Sequence, residues 1–145
     1  MVVSEVIIAD EDTRGLRVQT IPPTADGTHT DFTGSYTDVD EADPDGAYAG
    51  GAAGASVSYA HSTTVSGNVK AVCLSARAAK GADVNVDGLL RIGGTDYTRA
   101  LDGPDFTGGF QTSQVIWEQS PATATGWTDA EVNGLEFGWQ VSAAS

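Results

Sequence analysis

Apolar residues in this sequence recur at every second position in short runs, and nowhere keep three-and-four spacing beyond two helical turns. A period of two places successive side chains on opposite faces, so each run reads as a strand rather than a turn of helix. The residues between the runs agree: 14 Asp, 18 Gly and 16 Thr suit turns and strands better than long helices.

Val2 to Ile8 is an apolar run broken by Ser4 and Glu5, a strand or an arm. Leu16 to Ile21 alternates and is closed by Pro22-Pro23, neither of which can donate to a ladder. Thr24 to Thr30 reads as a polar connector, Phe32 to Tyr36 as a short strand, and 38–46 as an acidic loop. Ala47 to Ser56 is nearly all Gly and Ala, which leaves a strand lying close to another surface or a loop. Val57 to Ala60 resumes the strand pattern. Asn68 to Ala78 carries Val72, Leu74 and Ala76 on one face and Val69, Ala71 and Cys73 on the other. Two apolar faces predict a central strand of a sandwich, with Cys73 as a small core residue.

Val84 to Ile92 and Thr95 to Ala100 flank Gly93-Gly94, a two-residue link able to take the positive φ that a tight hairpin requires. Gln111 to Glu118 places Val115 and Trp117 on one side. Thr128-Asp-Ala-Glu131 has the spacing of a capping box, with Trp127 as the staple before it and Asn133-Gly134 as the stop. Leu135, Phe137, Trp139 and Val141 then alternate with polar or small residues. Eight or nine short strands and one short helix near residue 130 predict an all-β fold, a jelly-roll-like antiparallel β-sandwich. Residues 1–30 form an extended N-terminal arm or edge strands, and 31–145 the sandwich domain.

Charge narrows the partners. Seven basic residues against 20 acidic ones leave −13 on 145 residues. Residues 1–50 hold 11 acids against Arg14 and Arg17, a net of −9. Such a surface repels phosphate, so neither nucleic acid nor an anionic membrane is an expected partner. No apolar run has the length of a membrane span, and the first residues lack the basic and apolar regions of a secretion signal. One cysteine excludes an internal disulfide framework.

Reactive constellations are sparse. No Gly-x-Ser-x-Gly elbow is present, and His29 and His61 read as surface histidines in loops. His29, His61 and Cys73 lie 32 and 12 positions apart, which fits no zinc motif. Glu41, Asp43 and Asp45 before Gly46 resemble the start of an EF-hand, but position 12 is Ala52. A solvated acidic turn is the reading, with a looser calcium site in loop 38–46 left open. Gly50-Gly51-Ala-Ala-Gly54 lacks the lysine of a phosphate loop. Trp117 and Trp139 read as core rather than as sugar platforms. No catalytic residue, metal ligand or cofactor is predicted.

Three stretches carry a resemblance: Asp38-Val-Asp-Glu-Ala-Asp-Pro-Asp-Gly-Ala-Tyr48, Arg91-Ile-Gly-Gly-Thr-Asp-Tyr97, and Pro121 to Gly138 with its Gly-Trp-Thr-Asp-Ala-Glu and Leu-Glu-Phe-Gly segments. Their order and spacing over residues 26–143 resemble those of small virion structural proteins of tailed bacteriophages. The Ala/Gly-rich stretch 49–55 departs from that pattern. The resemblance implies a decoration or cement protein on the outer capsid surface of the virion. It would bind the major capsid protein, as a homo-oligomer such as a trimer, without catalysis or cofactor. Two other roles stay open. One is a fibre, collar or tail module binding host glycans or virion proteins through loops 26–31 and 102–110. The other is a small virion hydrolase using His61 or an acid pair.

Overall fold

The computed structural model describes residues 16–39, 47–80, 84–101, 106 and 108–143. The strands are β1 (Ala25–Thr30), β2 (Ser56–Ala60), β3 (Val72–Ala78), β4 (Val84–Ile92), β5 (Thr95–Ala100), β6 (Gln111–Trp117) and β7 (Glu136–Ala143). One helix, α1 (Asp129–Gly134), precedes β7. The protein is all-β, and its strands form two antiparallel sheets. A five-stranded sheet runs β1-β2-β7-β4-β5, and β3 pairs with β6 in a two-stranded sheet.

Cross-strand registers fix which side chains face the second sheet. Tyr59, Phe137, Leu90 and Tyr97 stand opposite one another in a row across β2, β7, β4 and β5. Leu90 is fully buried and packs in a cluster with Leu74 of β3 and Val115 and Trp117 of β6, so this row is the inner face. Gly88, two residues before Leu90, points the same way: a Cβ built on it lies 2.5 Å from Val115 Cγ1. The core is therefore the apolar layer between the two sheets, closed at one end by Trp127, Val132 and Leu135 around α1.

Local chemistry explains the firmest elements. Gly93 and Gly94 take φ of +58° and +87° and turn β4 into β5 with Ile92 opposite Thr95. Thr128 caps α1: its hydroxyl accepts from the Glu131 amide at 3.2 Å, and the Glu131 carboxylate returns to the Thr128 amide at 2.9 Å. Trp127 and Val132 occupy the two staple positions, both buried. Trp127 Nε1 donates to the Trp117 carbonyl at 2.9 Å, which ties the helix entrance to the end of β6.

Other expectations are corrected. Leu16 to Ile21 forms no strand, and only Ile21 packs against the core. Thr24 to Thr30 is not a connector, because its residues 25–30 form β1. In place of a strand at Phe32 to Tyr36 there is an isolated bridge from Thr33 to Gly50, then a 3₁₀ turn at Tyr36–Asp38. Between Ala47 and Ser56 only Ser56 joins a strand. β3 is not central: it belongs to the two-stranded sheet, and Cys73 is exposed rather than core. Cys73 shares the outer face of β3 with Ser75 and Arg77, where a small apolar side chain costs little. The run Val2 to Ile8 lies outside the described residues, and so does most of loop 38–46.

Candidate functional site

Among the described residues, a network of polar side chains lies on the outer face of the five-stranded sheet. It is built by an irregularity in β1. Asp26 stands opposite Tyr59 and Thr30 opposite Val57, so β1 carries two residues more than β2 between these pairs. The extra length swings residues 27–29 over β2 and β7. Gly27 is obligatory there, since a Cβ would lie 2.5 Å from both Ser58 Oγ and Glu136 Oε2.

The bulge is fastened by Glu136 of β7. Thr28 gives its amide to Glu136 Oε2 at 2.7 Å and its hydroxyl to Oε1 at 2.8 Å. Ser58 Oγ donates to Glu136 Oε2 at 2.6 Å and accepts from the His29 amide at 3.0 Å. Glu136, Arg91 and Asp96 form a cross-strand row over β7, β4 and β5. Arg91 Nη1 meets Asp96 Oδ1 at 2.6 Å, and His29 Nε2 meets Asp96 Oδ2 at 2.9 Å. In a flat sheet the edge strands β1 and β5 would stand about 19 Å apart. The His29–Asp96 contact therefore requires the sheet to coil strongly, with the bulge lying across its face.

The electrostatics follow from these partners. Burial pushes the Glu136 carboxyl up, but hydrogen bonds from Ser58 and Thr28 and the charge of Arg91 outweigh it, and the net shift is downward. Burial acts the same way on Asp96, and Arg91 and His29 overcome it. Both carboxylates stay charged and act as acceptors. On the inner face, burial, then the Asp26 and Asp38 carboxylates, push the Tyr59 phenol up to about 12.

In this arrangement the Ser58 hydroxyl and both carboxylates are already engaged in hydrogen bonds. Ser58 is 0% exposed, with its proton on Glu136 and a lone pair on the His29 amide, so no substrate carbonyl can reach it. His29 is a half-buried strand residue, not a loop histidine. His61 is also half-buried: Nδ1 lies 3.1 Å from the Thr63 carbonyl and Nε2 2.9 Å from that of Val132. With the Asn133 side chain bonded to Val65 at both ends, it fixes the segment after β2 to α1. The structure thus sets the two histidine rings in separate networks, His29 on Asp96 and His61 on the Thr63 and Val132 carbonyls. No group of three metal-ligating side chains gathers among the described residues.

A second polar knot joins α1 to the end of β6. Ser120 is fully buried and donates to Glu131 Oε1 at 2.6 Å, and with the bonds from Thr128 this lowers the Glu131 carboxyl. Of the groove-forming loops expected at 26–31 and 102–110, residues 26–30 belong to β1, and 102–105 and 107 lie outside the described residues. Among the described residues no helix is long and apolar enough to cross a membrane.

Sequence reasoning singled out His29 but not Ser58, Glu136, Arg91 or Asp96. One signal was available: a two-residue hairpin at Gly93-Gly94 places Arg91 directly opposite Asp96. Comparisons with protein-family models, with curated proteins and with solved structures found no match.

Proposed function

We propose that this chain is a non-catalytic virion protein, a capsid decoration or cement protein of a tailed bacteriophage that binds the major capsid protein on the outer shell. The observation that carries this reading is the contrast between its polar and apolar groups. Among the described residues the grouped polar side chains bond one another, and Ser58 is fully buried. Large apolar side chains meanwhile stand in solvent: Tyr48 is 65% exposed, Val18 59% and Ile116 48%. Exposed apolar groups on a strongly acidic surface suit a protein that adheres to a neighbour through a few anchors and stays apart from other particles by charge.

The resemblance of Arg91 to Tyr97 and of Pro121 to Gly138 to small phage virion proteins supports the same reading. These stretches form the β4–β5 hairpin and the capped helix leading into β7, which are scaffold elements. The mechanism is mechanical. A protein that bridges neighbouring shell subunits binds the assembled shell and not its separated parts, so binding adds free energy to the closed state alone. Self-association as a trimer would present several such anchors at one symmetry axis.

The test is reconstitution. Purified protein is added to particles stripped of it and sedimented with them. The reading expects saturable binding and greater resistance of the particle to heat or osmotic shock. Failure to bind intact shells, while binding detached tails or fibres, would transfer the protein to the tail.

A further inference from the structure

The dipeptide Asn133-Gly134 does not serve as a left-handed helix stop. Gly134 is the last residue of α1, its φ is not positive, and a Cβ built on it meets nothing within 4 Å. The fold therefore makes no demand for glycine there. What glycine does provide is chemical access: with no side chain of its own, its amide nitrogen can approach the carboxamide carbon of the asparagine before it. The chain has two other asparagines, Asn68 and Asn85, and each is followed by a valine whose branched Cβ crowds that approach. Asn133 and Gly134 are both exposed, so water and base reach them.

We propose that Asn133 is a site of spontaneous deamidation that the native fold holds closed. In the reaction the Gly134 amide gives its proton to base, and its nitrogen pair forms a bond to Asn133 Cγ. The Cγ–Nδ2 bond breaks, and Nδ2 leaves as ammonia with a proton from water. The resulting five-membered imide is opened by water. Attack at Cγ restores the ordinary chain with an aspartate, and attack at the main-chain carbonyl routes the chain through Cγ as isoaspartate. One water is consumed and one ammonia released, with no change of oxidation state.

The structure blocks this reaction at both partners. Asn133 Oδ1 accepts from the Val65 amide at 2.7 Å, and Nδ2 donates to the Val65 carbonyl at 2.9 Å, so one peptide group of a segment 68 residues away clamps both ends of the carboxamide. A helical amide donates to the carbonyl four residues before it, which turns that of Gly134 toward Ala130 and away from Cγ. His61 Nε2, 2.9 Å from the Val132 carbonyl, ties the same segment to the same turn of helix. Cyclisation needs the clamp and the last turn of α1 to open together, a local unfolding event. Either product then keeps the clamp from closing again. An aspartate has no proton to give the Val65 carbonyl, and an isoaspartate lengthens the backbone just before buried Leu135 and β7. The modification is a one-way release of the segment after β2 from α1. It rests on no part of the shell-binding reading.

The test holds the full-length protein at mildly alkaline pH, folded or in urea, and locates each asparagine that has exchanged amide for carboxyl by peptide mass mapping. In urea Asn133 should react ahead of Asn68 and Asn85, and Gly134→Ala should slow it severalfold. In the folded parent the reaction at Asn133 should be at least about tenfold slower than in urea. Val65→Pro deletes the donor to Oδ1 and should speed the folded reaction severalfold while leaving the urea rate unchanged. If circular dichroism shows that Val65→Pro does not fold, His61→Ala removes the neighbouring tie and takes its place. Asn133→Asp installs one product and should lower Tm by a few degrees. A folded parent that reacts as fast as the chain in urea would overturn the proposal, as would an Asn133 that stays intact in urea. So would a folded variant no faster than the parent, or an unchanged Tm in Asn133→Asp.

Discussion

Gly88 is the sharpest point at which to test the packing of the two sheets. A Cβ at this position lies 2.5 Å from Val115 Cγ1, 3.1 Å from Trp117 Cη2 and 3.3 Å from Leu74 Cδ2. Ordinary van der Waals contact begins near 3.4 Å, so the new methyl intrudes by almost 1 Å on Val115. Val115, Trp117 and Leu74 are 2%, 6% and 7% exposed, and none can retreat into solvent. Overpacking of this kind costs about 1–3 kcal/mol. Loss of glycine entropy in the unfolded chain returns about 0.4–1 kcal/mol. The net expectation for Gly88→Ala is a loss of about 1–2 kcal/mol. With an unfolding entropy of about 2.1 cal/mol/K per residue, that lowers Tm by roughly 3–7 °C. Urea melts and calorimetry measure it. The partner variant Val115→Ala removes the atom in the way, so the double variant should lose less than the sum of the singles by at least about 0.5 kcal/mol. A neutral or stabilising Gly88→Ala, or strict additivity with Val115→Ala, would show that β4 does not face β6 across a dry core.

Thr128→Ala should cost about 1 kcal/mol through loss of the cap on α1, and an unchanged urea midpoint would show that Thr128 does not hold the helix start. Ser58→Ala strips the His29 amide of its buried acceptor and should cost about 1–3 kcal/mol in the same melt, whereas a neutral result would mean the bulge of β1 is not fastened there. The carboxyls of Glu136 and Asp96 lie below their ordinary values of 4.5 and 3.8, so their stabilisation is present above those values and is lost as pH falls below them. Stability of the parent chain should accordingly fall across that range more steeply than that of Glu136→Gln, and parallel pH profiles would contradict the clasp.

What was legible in the sequence is what nearby residues determine. Gly93-Gly94 specifies the β4–β5 hairpin, and Thr128 with Glu131 specifies the cap, because each device acts within a few positions. The alternation of Gln111 to Trp117 marks β6 for a similar reason: Ser113, Val115 and Trp117 share one buried face. β1 was not legible. Its polar residues find partners far along the chain, Thr28 at a separation of 108 residues and His29 at 67, and without those partners the segment reads as a connector. β3 misled in the opposite direction. Ala71 and Cys73 are apolar enough to suggest a covered face, yet small residues can stand in solvent at little cost. The candidate site was half visible. His29 stood out by type, but Ser58 and Glu136 look ordinary until the bulge brings the chain over them.

Copy number decides the central claim. Gel densitometry of purified virions, with the major capsid protein as internal standard, should give hundreds of copies of this chain per particle. Tens of copies would assign it to a fibre or collar, and its absence from purified virions would end the reading of a shell-binding protein.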